Sequence, residues 1–168
     1  VLKQYTTARL LLGQNALEAG DAAAALQHFE LAMQMQENLG EAYHLLQAKA
    51  DVSYWQGKAL RALGQEADAV AKFESSANEA GDFQAMAVTE HSEQSYYRGL
   101  SLLELGRTED ARQLFESLKA YAEKEMEAEA KIDYFATSLP LLLVFEDDLN
   151  QCKRQNAERL MELARKGL

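Results

Sequence analysis

Residues 96 to 118, YYRGLSLLELGRTEDARQLFESL, set apolar side chains at the three- and four-residue spacing of two amphipathic helices meeting at a tight turn. The pattern recurs in residues 11 to 32, LLGQNALEAGDAAAALQHFELA, and in 55 to 76, WQGKALRALGQEADAVAKFESS. Aligned, the three stretches share four identical columns: Gly13, Gly57 and Gly99; Gly20, Gly64 and Gly106; Ala25, Ala69 and Ala111; Phe29, Phe73 and Phe115. Within each copy the offsets are 7, 5 and 4 residues, while the copies repeat at 44 and then 42. A glycine after a helical run and before Asp21, Gln65 or Arg107 is a stop signal in the left-handed conformation. The glycines one column earlier lie inside helices, where each costs about 1 kcal/mol relative to alanine. That cost implies close packing against a neighbour, with the alanines as the small partners and the phenylalanines as the large ones.

The spacing predicts first helices over residues 1–19, 41–63 and 83–105, and second helices over 22–38, 66–79 and 108 to about 130. Residues 41–63 contain no proline and no turn cluster, so they are expected as one helix about 34 Å long. The chain is expected to divide at residue 130: repeats over 1–130, then a connection and last helix over 131–168. Residues 131–145 break the pattern, and Pro140 ends or kinks what precedes it. Asp147 or Asp148 then offers an N-cap for a final amphipathic helix that either caps the array or opens a fourth, partial repeat.

Composition narrows the class. One proline in 168 residues, 8% aromatic and 48% hydrophobic content favour a helical, ordered chain. A formal charge of −10, with no Lys/Arg cluster interleaved with aromatics, argues against nucleic acid and anionic membranes as partners. The longest apolar run, LPLLLVF at 139–145, is too short to span a bilayer. Cys152 is the only cysteine, which excludes an internal disulfide and fits a reducing, cytoplasmic compartment. The chain begins at Val1, as expected of a fragment whose targeting information lies elsewhere.

The repeated columns resemble the tetratricopeptide repeat, whose pattern runs Leu-Gly, Tyr, Ala-x-x-x-Phe and Pro in a helix-turn-helix unit. The likeness covers roughly residues 6 to 125. It departs at the family's Trp column (Arg9, Ser53, Ser95), Tyr column (Ala16, Leu60, Leu102) and closing Pro (Glu37, Gly81, Glu123). The fold it implies is all-α: a right-handed solenoid of about three such repeats with lengthened helices, plus a C-terminal helix. The segment YFATSLPLLLVFEDDL also resembles the repeat region of large bacterial proteins that carry an N-terminal β-rich domain of unknown function.

Chemistry is sparse. His28, His44 and His91 form no helical ligand pair, the acidic runs EKEMEAEAK and FEDD read as a solvated face and helix capping, and no nucleophile motif is present. No cofactor, metal or catalytic role is expected. By the resemblance, the groove is lined by the first helices at Gln14, Leu17 and Glu18, at Asp51, Tyr54, Lys58 and Arg61, and at Glu93, Tyr96, Leu100 and Leu103. Tyr54 beside Lys58 and Arg61 suits a carboxylate or an extended peptide; equally, the tyrosines pack between helices and the cations solubilise the surface. The positions where a known subtype clamps chaperone C-termini hold Leu10 and Gln14, which disfavours that partner. The expected function is a non-catalytic scaffold binding a peptide or partner domain. The alternative is an accessory or oligomerisation region of a larger, carbohydrate-related enzyme, with homo-oligomerisation left open.

Overall fold

Three copies of one turn organise the chain. Helix α1 (Leu2–Glu18) meets α2 (Ala22–Met33), α3 (Ala50–Ala62) meets α4 (Glu66–Ala77), and α5 (Glu93–Glu104) meets α6 (Thr108–Glu127). At each junction the glycine is left-handed, with φ of +83° at Gly20, +77° at Gly64 and +73° at Gly106. The residue after it donates back to the helix: Asp21 N–H to Ala16 O, Gln65 N–H to Leu60 O and Arg107 N–H to Leu102 O, at 2.8–2.9 Å. The glycine N–H bonds Leu17, Arg61 or Leu103 O at 3.0 Å. Two orphan carbonyls are thereby satisfied at every helix end.

The interior glycines are explained by the ring opposite each. A Cβ built on Gly13, Gly57 or Gly99 would lie closer than 3.0 Å to Phe29, Phe73 or Phe115 respectively. Those phenylalanines and Ala25, Ala69 and Ala111 are all 0% exposed, so each unit closes ring onto bare backbone. The second helix of each unit packs in turn on the next first helix, α2 on α3 and α4 on α5. The result is an all-α helical repeat solenoid. The computed structural model describes residues 1–35, 40–43, 46–84, 87–129 and 148–168; Pro140, the LPLLLVF run, His44 and the expected boundary at 130 lie outside them.

The lengthened first helices of the second and third units do not form, whereas α6 runs 20 residues much as expected. Helix α3 starts at Ala50 rather than 41 and is 13 residues long, about 20 Å. In place of helix over 83–92 stands a hairpin, β1 (Asp82–Gln84) against β2 (Ala87–Thr89), paired Asp82↔Thr89, Phe83↔Val88 and Gln84↔Ala87. The reason is tertiary. Gly40 is left-handed at φ +64°, Glu41 accepts from the Val1 ammonium at 2.9 Å and Leu2 N–H at 2.7 Å, and Tyr43 Oη donates to Ala32 O at 2.7 Å. Ala48 N–H donates to Asp82 Oδ1 at 3.0 Å and Lys49 N–H to Glu79 Oε2 at 2.7 Å. Carboxylates from the next connector thus take donors at the start of α3 and set where it begins. Farther on, Ser92 and Ser95 form a reciprocal capping box that starts α5 at Glu93.

Helix α7 (Leu149–Gly167) begins at Asp148, which accepts from Asn150 and Gln151 N–H. It lies on α6 and α5 as α5 lies on α4 and α3. Ala157, Leu160, Met161 and Ala164 close its contact with Leu118 and Ala122.

Candidate functional site

Equivalent positions of the first helices form parallel columns: Leu10, Tyr54 and Tyr96; Gln14, Lys58 and Leu100; Leu17, Arg61 and Leu103. Since α1, α3 and α5 carry them in the same register, the columns run across the stack as a strip. Its middle is knitted together by charge. Lys58 Nζ lies 2.8 Å from Glu104 Oε1, and Arg61 pairs with the other oxygen of Glu104 and with Glu66 at 2.9 Å. Hydrogen bonds to Glu66 come first among the causes that raise the Arg61 pKa. The Arg61 guanidinium also sits 4.7 Å over the Phe73 ring. Beside this triad an open cleft of about 410 Å³ is bordered by Arg61, Glu66, Glu74, Asn78, Glu104 and Arg107.

The other expected groove residues separate. Tyr54 is 8% exposed and its ring packs among Trp55, Phe73 and Tyr97 at 5.2–6.0 Å. Burial pushes its hydroxyl up to about 12. Tyr96 packs on Tyr97 and Phe115. Asp51 takes part in the polar start of α3: its backbone N–H donates to Gln94 Oε1 at 2.9 Å, and burial raises its carboxyl above the usual range. Glu93 accepts from Arg159 of α7 through both oxygens, at 2.6 and 3.0 Å. Gln14, Leu17 and Leu100 are half-buried, while Leu103 is 39% exposed.

Sequence reasoning passed over Glu104, the anion that both cations reach. Its signal was present: Glu104 stands in the column of Glu18, which was placed in the groove. Cys152 is exposed near the start of α7. His91 is buried, with Ser95 Oγ at 3.2 Å and Ser117 Oγ at 2.9 Å from its two nitrogens; burial lowers its pKa. Among the described residues no group of three or more His, Cys, Asp or Glu could hold a metal ion, and no helix is long and apolar enough to cross a membrane.

Residues 51–82 and 95–131 match the family model described as tetratricopeptide repeat. The matches fall on the second and third units. The first unit lies outside them, yet it carries the same glycine–phenylalanine contact and the same turn. No curated protein and no solved structure matches the chain. Tetratricopeptide repeats are typically non-catalytic and mediate protein–protein interaction.

Proposed function

We propose that the chain is a non-catalytic interaction module whose first-helix strip receives an extended, acidic segment of a partner protein. What carries the reading is the Lys58–Glu104–Arg61 arrangement: two cations on α3 held by one carboxylate from α5, in the middle of the strip and beside an open cleft. A partner's carboxylate would replace Glu104 between Lys58 Nζ and Arg61 Nη1, while the Nε and Nη2 donors of Arg61 stay with Glu66. Gln14 on one side and the exposed edge of Leu103 on the other extend the contact along the stack. Tyr54 acts beneath the strip as a packed support for the helix that bears the cations.

The test is binding of the full chain to an array of acidic ten-residue peptides. Lys58→Gln should weaken capture, whereas Glu104→Gln, which frees Lys58 and the Nη1 donor of Arg61 while Glu66 keeps the rest of the guanidinium, should strengthen it; circular dichroism should be unchanged for both. Equal capture by all three proteins would overturn the strip as the binding surface.

A further inference from the structure

The strip does not stop at α5. Arg159, Leu163 and Lys166 of α7 stand in the register of Tyr54, Lys58 and Arg61, and α7 lies on α5 as α5 lies on α3. Two observations put the charged heads on the groove side of α5. Arg159 reaches Glu93 at 2.6 and 3.0 Å, and Glu93 holds on α5 the register of Asp51. Lys166 pairs with Glu162 at 2.8 Å. That hydrogen bond chiefly raises its pKa, and the Tyr96 and Arg159 charges act on it as well, so the ammonium stands near both. The groove face of α5 is thus flanked by cations on either side, Lys58 and Arg61 from α3, Arg159 and Lys166 from α7. Between them the face is apolar at Leu100 and Leu103, the latter 39% exposed.

We propose that the partner segment carries two acidic side chains about six residues apart with an apolar one midway. One acid seats at Lys58 and Arg61, the other at Arg159 and Lys166, and the apolar side chain rests on Leu100 and Leu103. The inference rests on the strip as the binding surface and adds its spacing. Packed helices lie about 8–10 Å apart, so the two steps from α3 to α7 come to about 20 Å. An extended chain covers that span in about six residues at ~3.3 Å each. A pair of acids two residues apart spans about 7 Å and engages one flank alone. The pairs on α7 yield readily, with side-chain exposures of 63% and 40% for Arg159 and Glu93 and of 57% and 67% for Lys166 and Glu162. Exposed pairs of this kind contribute little, so an incoming carboxylate exchanges one exposed partner for another. Charge draws the segment in, and spacing selects it.

The test uses the full chain and fluorescein-labelled twelve-residue serine peptides. Each carries two glutamates spaced two, four, six or eight positions apart, with a leucine midway, and binding is read by fluorescence anisotropy. The peptide spaced by six is expected to bind on the order of tenfold more tightly than the one spaced by two. Arg159→Gln combined with Lys166→Gln should bring the two peptides level, with circular dichroism unchanged. Lys166→Gln alone, which breaks an ion pair within α7, should remove part of the preference. Serine in place of the peptide's leucine should weaken binding without altering the protein. Equal binding at all spacings, or a preference for six that survives the double variant, would overturn the inference; a loss with Lys58→Gln would then show that the strip itself still binds. Peptides bound as well by Lys58→Gln as by the unaltered chain would overturn the strip and this inference together.

Discussion

Helices α1 and α7 stand at the two ends of the described stack, and among the described residues each has one side packed and one side bare. On α1 the packed side is the one with Gly13, under α2, and the bare side carries Leu11 and Leu12. On α7 the packed side is the one with Leu160, against α6. The positions equivalent to Ser53, Gly57 and Leu60 there hold Glu158, Glu162 and Arg165, all exposed. A glycine replaced by glutamate cannot receive the phenylalanine of a following helix, and charges on the flanking positions keep that side in water. The bare side of α7 is therefore charged, while the bare side of α1 carries two leucines. The same asymmetry appears at helix starts. Asp148 caps α7 from within its own turn, α3 borrows carboxylates from Glu79 and Asp82, and α1 is met by exposed Glu41.

The sharpest way to break this comparison is to cut the same residue type at the same register on both ends. Leu160→Ala should cost about 2–5 kcal/mol in urea unfolding, against less than about 0.5 for Leu11→Ala; similar values would mean that α1 is covered in solution. Next in size, Gly57→Ala drives a methyl into the Phe73 ring and should cost about 1–3 kcal/mol. Gly13→Ala meets Phe29 as closely but should cost less, because α1 is held from one side and can move outward; equal penalties would show that it is pinned.

A smaller effect, about 1 kcal/mol, is expected for Asp148→Ala, which removes the side-chain cap of α7. Thermal melts would report it, and no loss would make α6 packing the sole determinant of that helix. The smallest is a slope with pH. Burial raises the carboxyls of Asp51 and Glu79 above their ordinary values, so the folded state holds these protons longer than the unfolded one. Their contribution is full below the ordinary carboxyl pKa and lost as pH rises through the raised one. Glu41, whose pKa is lowered first by its hydrogen bond with the terminal ammonium, acts oppositely: stability is lost as pH falls through its folded value. Asp51→Asn and Glu41→Gln should therefore tilt the stability profile between acid and neutral pH in opposite directions; parallel tilts would contradict this account.

What could be read in the chain follows interaction range. The turns at Gly20, Gly64 and Gly106 were legible because their hydrogen bonds close within six residues. The Gly–Phe contacts were legible because their partners, 16 residues apart on paired helices, recur three times. The strip emerged from the same register, which located Lys58 and Arg61 but left their shared partner Glu104, 46 and 43 residues away, unnamed. Tyr54 had the spacing of both a groove residue and a packing residue, and the aromatic rings around it, some from α5, decided where it sits.

Sequence by itself determined the unit: two helices, the turn between them, and the small and large residues that close them. It did not determine how units are joined. Residues 41–49 and 83–92 lack proline and carry helix-compatible composition, yet contacts 30 to 40 residues distant hold the first stretch out of helix at Glu41, Ala48 and Lys49. The second stretch became a hairpin and a capping box. Helix propensity is worth tenths of a kcal/mol per residue, whereas a donor left unpaired on burial costs about 1–3 kcal/mol. Where the folded stack brings carboxylates to waiting N–H groups, the tertiary structure decides.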